Sequence, residues 1–219
     1  MNVLMIGGGG REHALIRKIN KSKRLEKLYC APGNGGISRD AQCADISVMD
    51  KEGMLAFAKE NNIDLVFVAP DDPLAAGMVD AFEQAGIRAF GPNAKAAQIE
   101  ASKVFSKNLM KKYNIPTAGY EVFDSADSAI AYIDEQGKAP VVVKADGLAL
   151  GKGVIIAQTL EEAHEAVRII MEEKKFGESG SRVVIEEFLT GPEVSVLAFT
   201  DGKCVKPVRK PPARLKILQ

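Results

Sequence analysis

Short apolar runs, each closed by a glycine- or proline-bearing loop and separated by helical stretches, constrain this chain more than any other feature. Val3–Ile6, Leu25–Cys30, Leu65–Val68 and Ile87–Phe90 read as strands. Glu12–Asn20, Met54–Glu60 and Leu74–Ala85 read as helices, the first with Ala14, Leu15 and Ile19 on one face. Parallel neighbours need long crossovers, and helices supply them here, so the spacing predicts an open, mostly parallel sheet over roughly the first 90 residues. Ligands on such sheets sit beyond the carboxyl ends of the strands.

Three loops lie at those ends: GGGGREH from Gly7, APGNGG from Ala31 and APDDPLAAG from Ala69. The first does not have the spacing of a dinucleotide fingerprint. Its third glycine position falls on Glu12 or His13, and the strand ending at Cys30 carries no acid for a ribose diol. What remains is simpler: glycine amides at a helix N-terminus favour phosphate, and Arg11 adds a charged fork. Asp71 and Asp72 either accept hydrogen bonds from sugar hydroxyls or cap a helix starting near Pro73.

Gly91-Pro92-Asn93 punctuates the end of this unit, and a boundary is expected near residue 100. Beyond it the pattern predicts one long helix from Ala94 to about Tyr113, stopped by Ile115-Pro116, and a second at Ser125–Glu135. A helix at Leu160–Glu173 opens on Thr159, and strands are expected at Val183–Glu187 and Glu193–Phe199. Between the runs Val141–Val143 and Val154–Ile156 lies KADGLALGKG, longer than a tight hairpin needs. It is either a connector or a lid whose bare amides and lysines close over phosphate. EEFLTGPE at 186–193 offers backbone N–H and C=O groups side by side, the pattern an adenine edge needs.

Composition narrows the classes. Lys plus Arg and Asp plus Glu both number 29, aromatics are 6% and Trp is absent, which disfavours a nucleic-acid surface. The three cysteines have no CxxC spacing, so neither a zinc site nor a disulfide framework is expected, and a reducing cytoplasm fits. No apolar run reaches membrane-spanning length.

GGGGREHA, APGNGG, DPLAAG, FGP, ASKVFSK, IPTAGY, VVVKADGLALGKGV and VVIEEFLTGPEVS, in that order, resemble phosphoribosylamine–glycine ligase (glycinamide ribonucleotide synthetase), an ATP-grasp family of purine biosynthesis. The resemblance runs from residue 1 to about 207. It implies an α/β protein: a Rossmann-like open parallel sheet over 1–100, the pre-ATP-grasp substrate-binding part, then the N-terminal, lid-bearing part of an ATP-grasp domain over 101–207. It implies small-molecule substrates, namely ATP, glycine and 5-phosphoribosylamine, with Mg2+. Lys103 and Lys144 match lysines that contact ATP phosphates, and Gly147, Gly151, Lys152 and Gly153 match the loop covering them. Glu186, Glu187, Phe188 and Leu189 match the adenine hinge, and Glu193 the ribose-binding acid. Gly8, Gly9, Gly10, Arg11 and His13 match the turn facing phosphoribosylamine, with Asp71 where the family usually has glutamate. His164 is expected on an outer helix face.

From Lys206 to Gln219 the chain has five basic residues, no acidic one and no motif of the family, so 208–219 reads as a basic tail outside it. The family's magnesium ligands and glycine site are not found, and the chain is expected to be a truncated ligase, inactive alone. A one-nucleotide shift of the codons for Lys210–Leu215 can encode Asn-His-Gln-Arg-Ala, close to the family's Asp-His-Lys-Arg, which favours a broken reading frame. The alternatives are a non-catalytic ATP- or ribose-phosphate-binding module, or one half of a split ligase. Glu193–Phe199 would then be an apolar strand with an open edge, prone to self-association.

Overall fold

The computed structural model describes residues 1–148, 153–173, 175, 177–192 and 194–208. They fall into two compact units, Met1–Glu187 and Phe188–Gln219. Gly151, Lys152 and Glu193 lie outside the described residues.

The larger unit carries two sheets. The first contains β1 (Asn2–Gly7), β2 (Lys27–Pro32), β3 (Gln42–Cys43), β4 (Leu65–Val68) and β5 (Arg88–Phe90) in the order β3-β2-β1-β4-β5. Every pairing in it is parallel. β1 is central and covered on both faces: Leu4 and Ile6 pack with Met54 and Phe82, while Val3 and Met5 pack with Ile16 and Ile37. That two-sided burial is why its sequence is a continuous apolar run rather than an alternating one. The connecting helices are α1 (Gly10–Ile19), α2 (Lys51–Glu60), α3 (Asp71–Ala75) and α4 (Met78–Gln84). Strand order turns back on either side of β1, so the crevice expected of such sheets opens at the ends of β1, β2 and β4, where the three glycine- and proline-bearing loops begin.

Two expected helices are each divided. Leu74–Ala85 is broken by Gly77, whose φ of +83° suits glycine and separates α3 from α4. α3 starts at Asp71 rather than near Pro73, and Pro70 occupies the cap position. Asp71 and Asp72 therefore lie in its first turn, where acids are favoured by the exposed N–H groups, and neither caps it with a side chain. Ala94–Tyr113 is two helices, α5 (Ala94–Ala101) and α6 (Lys103–Lys112), separated by Ser102 in extended conformation.

The second sheet is antiparallel, in the order β6-β9-β7-β8, with β6 at Tyr120–Phe123, β7 at Val141–Ala145, β8 at Val154–Ala157 and β9 at Val183–Glu187. α7 (Ala126–Gln136) and α8 (Leu160–Met171) cover it, burying Ala129, Val143, Val167, Ile170 and Ile185 together. Thr159 caps α8 as its position before the apolar repeat suggests, its hydroxyl accepting from the Glu162 N–H. β6 is too short and too little alternating to be read from the sequence.

In the smaller unit, β10 (Ala198–Thr200) and β11 (Val205–Pro207) form an antiparallel pair around a turn in which the Asp201 carboxylate accepts from the N–H groups of Lys203 and Cys204. The strand expected over Glu193–Phe199 is limited to its last two residues, because backbone pairing with β11 begins only at Ala198. No described helix is long and apolar enough to cross a membrane.

Candidate functional site

The turn after β1 is built by close backbone approach. Gly7 has φ +128°, and a Cβ there would lie 2.6 Å from the Glu12 side chain. A Cβ on Gly8 would lie 2.6 Å from the Gly33 carbonyl oxygen. The loops after β1 and β2 cross at this point. The Gly33 N–H donates to the Gly7 carbonyl at 3.2 Å, and the Asn34 amide donates to the Gly8 carbonyl at 2.7 Å. Asn34 also accepts from the N–H groups of Gly36 and Ile37, which fixes its own loop.

Glu12 stands where a dinucleotide fingerprint has its third glycine. Its buried carboxylate accepts the Gly9 N–H at 2.5 Å. That amide is thereby occupied, and Gly10 and Arg11, the first two residues of α1, line the cleft. His13 points elsewhere: its Nε2 lies 2.7 Å from Asp40 Oδ2. His164 is likewise paired, 2.8 Å from Asp134 Oδ1.

Opposite this turn, α6 delivers two lysines one helical turn apart to different places. Lys103 is half-buried and donates to the Gly147 carbonyl at 2.9 Å. Burial lowers its pKa, the nearby Lys144 charge lowers it further, and Asp146 opposes both. Lys107 is buried and donates to Thr117 Oγ1 at 2.8 Å and to the Ala118 carbonyl at 3.3 Å. Its Nζ also lies 3.1 Å from Glu186 Oε2, the oxygen that Lys144 reaches at 2.8 Å. The Glu186 side chain thus holds two cations rather than standing open, while Glu187 accepts from the Gly119 N–H. Phe188 and Leu189 follow in the smaller unit, Leu189 exposed.

Sequence reading gave Asp146 no role, yet it organises this side of the cleft. Its buried carboxylate accepts from the Ser102 hydroxyl at 3.0 Å, the Val104 N–H at 3.2 Å and Arg182 at 2.6 Å. One acid therefore fixes the first turn of α6 at the place where β7 leads into the glycine loop. The available signal was an acid directly between a strand and a glycine; its partners are distant in sequence, so spacing alone does not reveal them. Lys107 and Glu12 were missed for the same kind of reason, since lysines and glutamates at helical spacing are usually solvated.

A single cleft of about 890 Å³ joins the two sides. Gly10, Arg11 and Asp71 line it from the parallel sheet, and Lys103, Gly147 and Gly153 from the antiparallel one. Lys144 is set back from this lining, held by Glu186. Among the described residues no group of three or more His, Cys, Asp and Glu side chains is gathered to hold a metal ion.

The model of the phosphoribosylglycinamide synthetase N domain matches residues 1–100, and that of the ATP-grasp (A) domain of the same synthetase matches residues 101–214. The chain belongs to the phosphoribosylglycinamide synthetase family. The second match extends past residue 207, where the recognisable motifs end. Phosphoribosylamine–glycine ligase of Halalkalibacterium halodurans is 53% identical over 208 residues, covering 95% of this chain and 48% of that protein. The Rhodopirellula baltica protein of the same name is 51% identical, covering 97% and 49%. The chain spans about half the length of the curated relatives it matches. Among solved structures, phosphoribosylamine–glycine ligase of Thermotoga maritima superposes with a TM-score of 0.78 at 31% identity, covering 94% of this chain and 48% of that one. A biotin carboxylase from Campylobacter jejuni shares the fold at a TM-score of 0.69 and 17% identity, covering 87% and 46%.

Proposed function

We propose that this chain supplies the ATP-phosphate and phosphoribosylamine sides of a phosphoribosylamine–glycine ligase, the enzyme joining glycine to 5-phosphoribosylamine in purine biosynthesis. The observation that carries the reading is the single cleft in which the start of α1 and Asp71 share a wall system with Lys103 and the ends of the glycine loop. In this scheme the γ-phosphoryl group of ATP passes to a glycine carboxylate oxygen and ADP leaves. The amine nitrogen of phosphoribosylamine then attacks the acyl carbon, phosphate departs with the C–O bond electrons, and the nitrogen loses a proton. Lys103 and Lys144 compensate phosphate charge, with Gly147, Gly151, Lys152 and Gly153 above them. Glu186 to Leu189 carry the adenine hinge, and Glu193 the ribose hydroxyls. Gly8 to Arg11 and Asp71 face the sugar phosphate, while the His13 side chain is held by Asp40. Residues 1–100 and 101–207 are the substrate-binding and partial ATP-grasp parts of this reading.

Magnesium, which the resemblance implies beside ATP, finds no cluster of ligands among the described residues. A cytoplasmic site of action fits three cysteines that are all free thiols. Self-association through the exposed apolar side chains of the smaller unit belongs to the same reading.

The test is ATP turnover by the purified chain with glycine and freshly generated phosphoribosylamine. Turnover by the chain alone establishes the full ligase; ATP binding with turnover only after addition of the second half of a relative establishes a split arrangement. Absence of ATP binding sinks the reading.

A further inference from the structure

Two ammonium groups share one carboxylate oxygen in the antiparallel sheet, and their situations differ. Lys107 donates to Thr117 and Ala118, pairs with Glu186 at 3.1 Å, has a side chain only 8% exposed, and lies 5.3 Å from the Tyr120 ring centroid. It is buried and held from three sides. Lys144 has Glu186 as its one hydrogen-bond partner among the described residues, and its side chain is 25% exposed. Among the described residues, its other two donors have no partner. Glu186 is 6% exposed, so a carboxylate left there without a cation is strongly disfavoured.

Resting on the nucleotide-site reading, we propose that Lys107 is a positioning residue: the permanent counterion of Glu186, whose presence lets Lys144 leave that carboxylate and turn to a phosphate. The group carries two cations and one anion, so the released charge is a net positive one directed at a phosphoanion. With Lys107 absent, Lys144 becomes the carboxylate's sole cation and is held in place. The lysine one turn along from Lys103 thus acts from behind the cleft rather than in it.

The test uses the full chain and two readouts. The first is ATP affinity by titration calorimetry. The second, needing no nucleotide, is the rate at which Lys144 is acetylated by acetic anhydride, followed by peptide mass spectrometry. Lys107→Met is expected to weaken ATP binding about tenfold, the scale of one partly buried ion pair, and to slow Lys144 acetylation several-fold. Lys107→Gln keeps donors toward Thr117 and Ala118 and guards against loss of folding; it is expected to do the same. Adding Glu186→Gln to either variant is expected to restore fast acetylation. A merely structural lysine would lower thermal stability while leaving both readouts at wild-type values, and that result overturns the proposal. Wild-type chain that fails to bind ATP, with the acetylation pattern as expected, defeats the nucleotide-site reading and leaves the charge-sharing arrangement standing.

Discussion

The Val104 backbone N–H donates to the Asp146 carboxylate across 3.2 Å, joining the first turn of α6 to the end of β7 forty-two positions later in the chain. Lys103, the residue before Val104, donates to the carbonyl of Gly147, the residue after Asp146. The two contacts run side by side, so the start of α6 at Lys103 and the root of the glycine loop are set by one acid.

Asp146→Asn is therefore expected to destabilise the chain by on the order of 2 kcal/mol, since it weakens one buried and two partly buried hydrogen bonds and leaves Arg182 without its anion. Urea denaturation measures this. Arg182→Ala should cost less, because Arg182 is about half exposed and Asp146 keeps its Ser102 and Val104 donors. Equal losses would show that the arginine, not the helix start, is what Asp146 serves.

Lys103 titrates below the ordinary lysine range, chiefly because burial disfavours its charge. Between its native value and the ordinary one the unfolded chain binds the proton more readily, so this residue's contribution to stability rises with pH in that alkaline window. A phosphate beside it reverses the effect by favouring the ammonium. ATP binding in that window should take up protons, seen as a dependence of calorimetric heat on the ionisation enthalpy of the buffer. Lys103→Gln should abolish that dependence.

Gly8 and Gly10 are expected to respond oppositely to alanine. A Cβ on Gly8 meets the Gly33 carbonyl oxygen, part of the backbone, and Gly8→Ala should cost on the order of 2 kcal/mol. Nothing lies within 4 Å of a Cβ on Gly10, which opens a helix, so Gly10→Ala should be neutral or stabilise by up to about 1 kcal/mol. Thermal melts of the two variants decide the matter.

The Cys30 thiol is pushed up to about 12, first by burial and then by Cys43 and Glu12. Cys30 also donates its S–H to the Gly7 carbonyl. In the native chain it should resist iodoacetamide at pH 8 while Cys43 and Cys204, both exposed, react. Because the unfolded chain loses this proton first, the thiol's contribution to stability falls as pH rises from the ordinary thiol range toward about 12.

Val196, Leu197 and Phe199 are each more than 60% exposed in the smaller unit, with Val205 beside them in sequence order on the paired strand. Concentration-dependent sedimentation is expected for the full chain. Leu197→Glu should reduce it, and a single monomeric boundary at high concentration would remove this reading.

Four of the five parallel strands were legible because each is a compact apolar run followed by turn residues, whereas β3, the two residues Gln42 and Cys43, has no such run; Val183–Glu187 was read to the residue. Helix continuity was not. Gly77 and Ser102 both sit inside patterns whose apolar spacing carries on past them, and what breaks each helix is tertiary: a left-handed glycine in one case, a carboxylate from another sheet in the other. Gly10, Arg11, Asp71, Lys103, Gly147 and Gly153 line the cleft and sit in motifs visible in the sequence, whereas Asp146, Glu12 and Lys107 act through partners that no local pattern brings together. Extending a strand through Val194–Val196 failed because alternation of side chains does not by itself supply a neighbour to pair with; of this stretch only the Leu197 carbonyl is joined, accepting the Val208 N–H.

Ser102 has a mechanical consequence. The chain passes from the parallel sheet to the antiparallel one once, at this residue. On its near side α5 is fastened to the parallel sheet's helices, the Ala94 N–H donating to Asp80; on its far side α6 is fastened through Asp146. Each wall of the cleft is thus bolted to its own frame, and Ser102 is the rivet between them: its N–H is held by the Gln98 carbonyl on one side and its hydroxyl by Asp146 on the other.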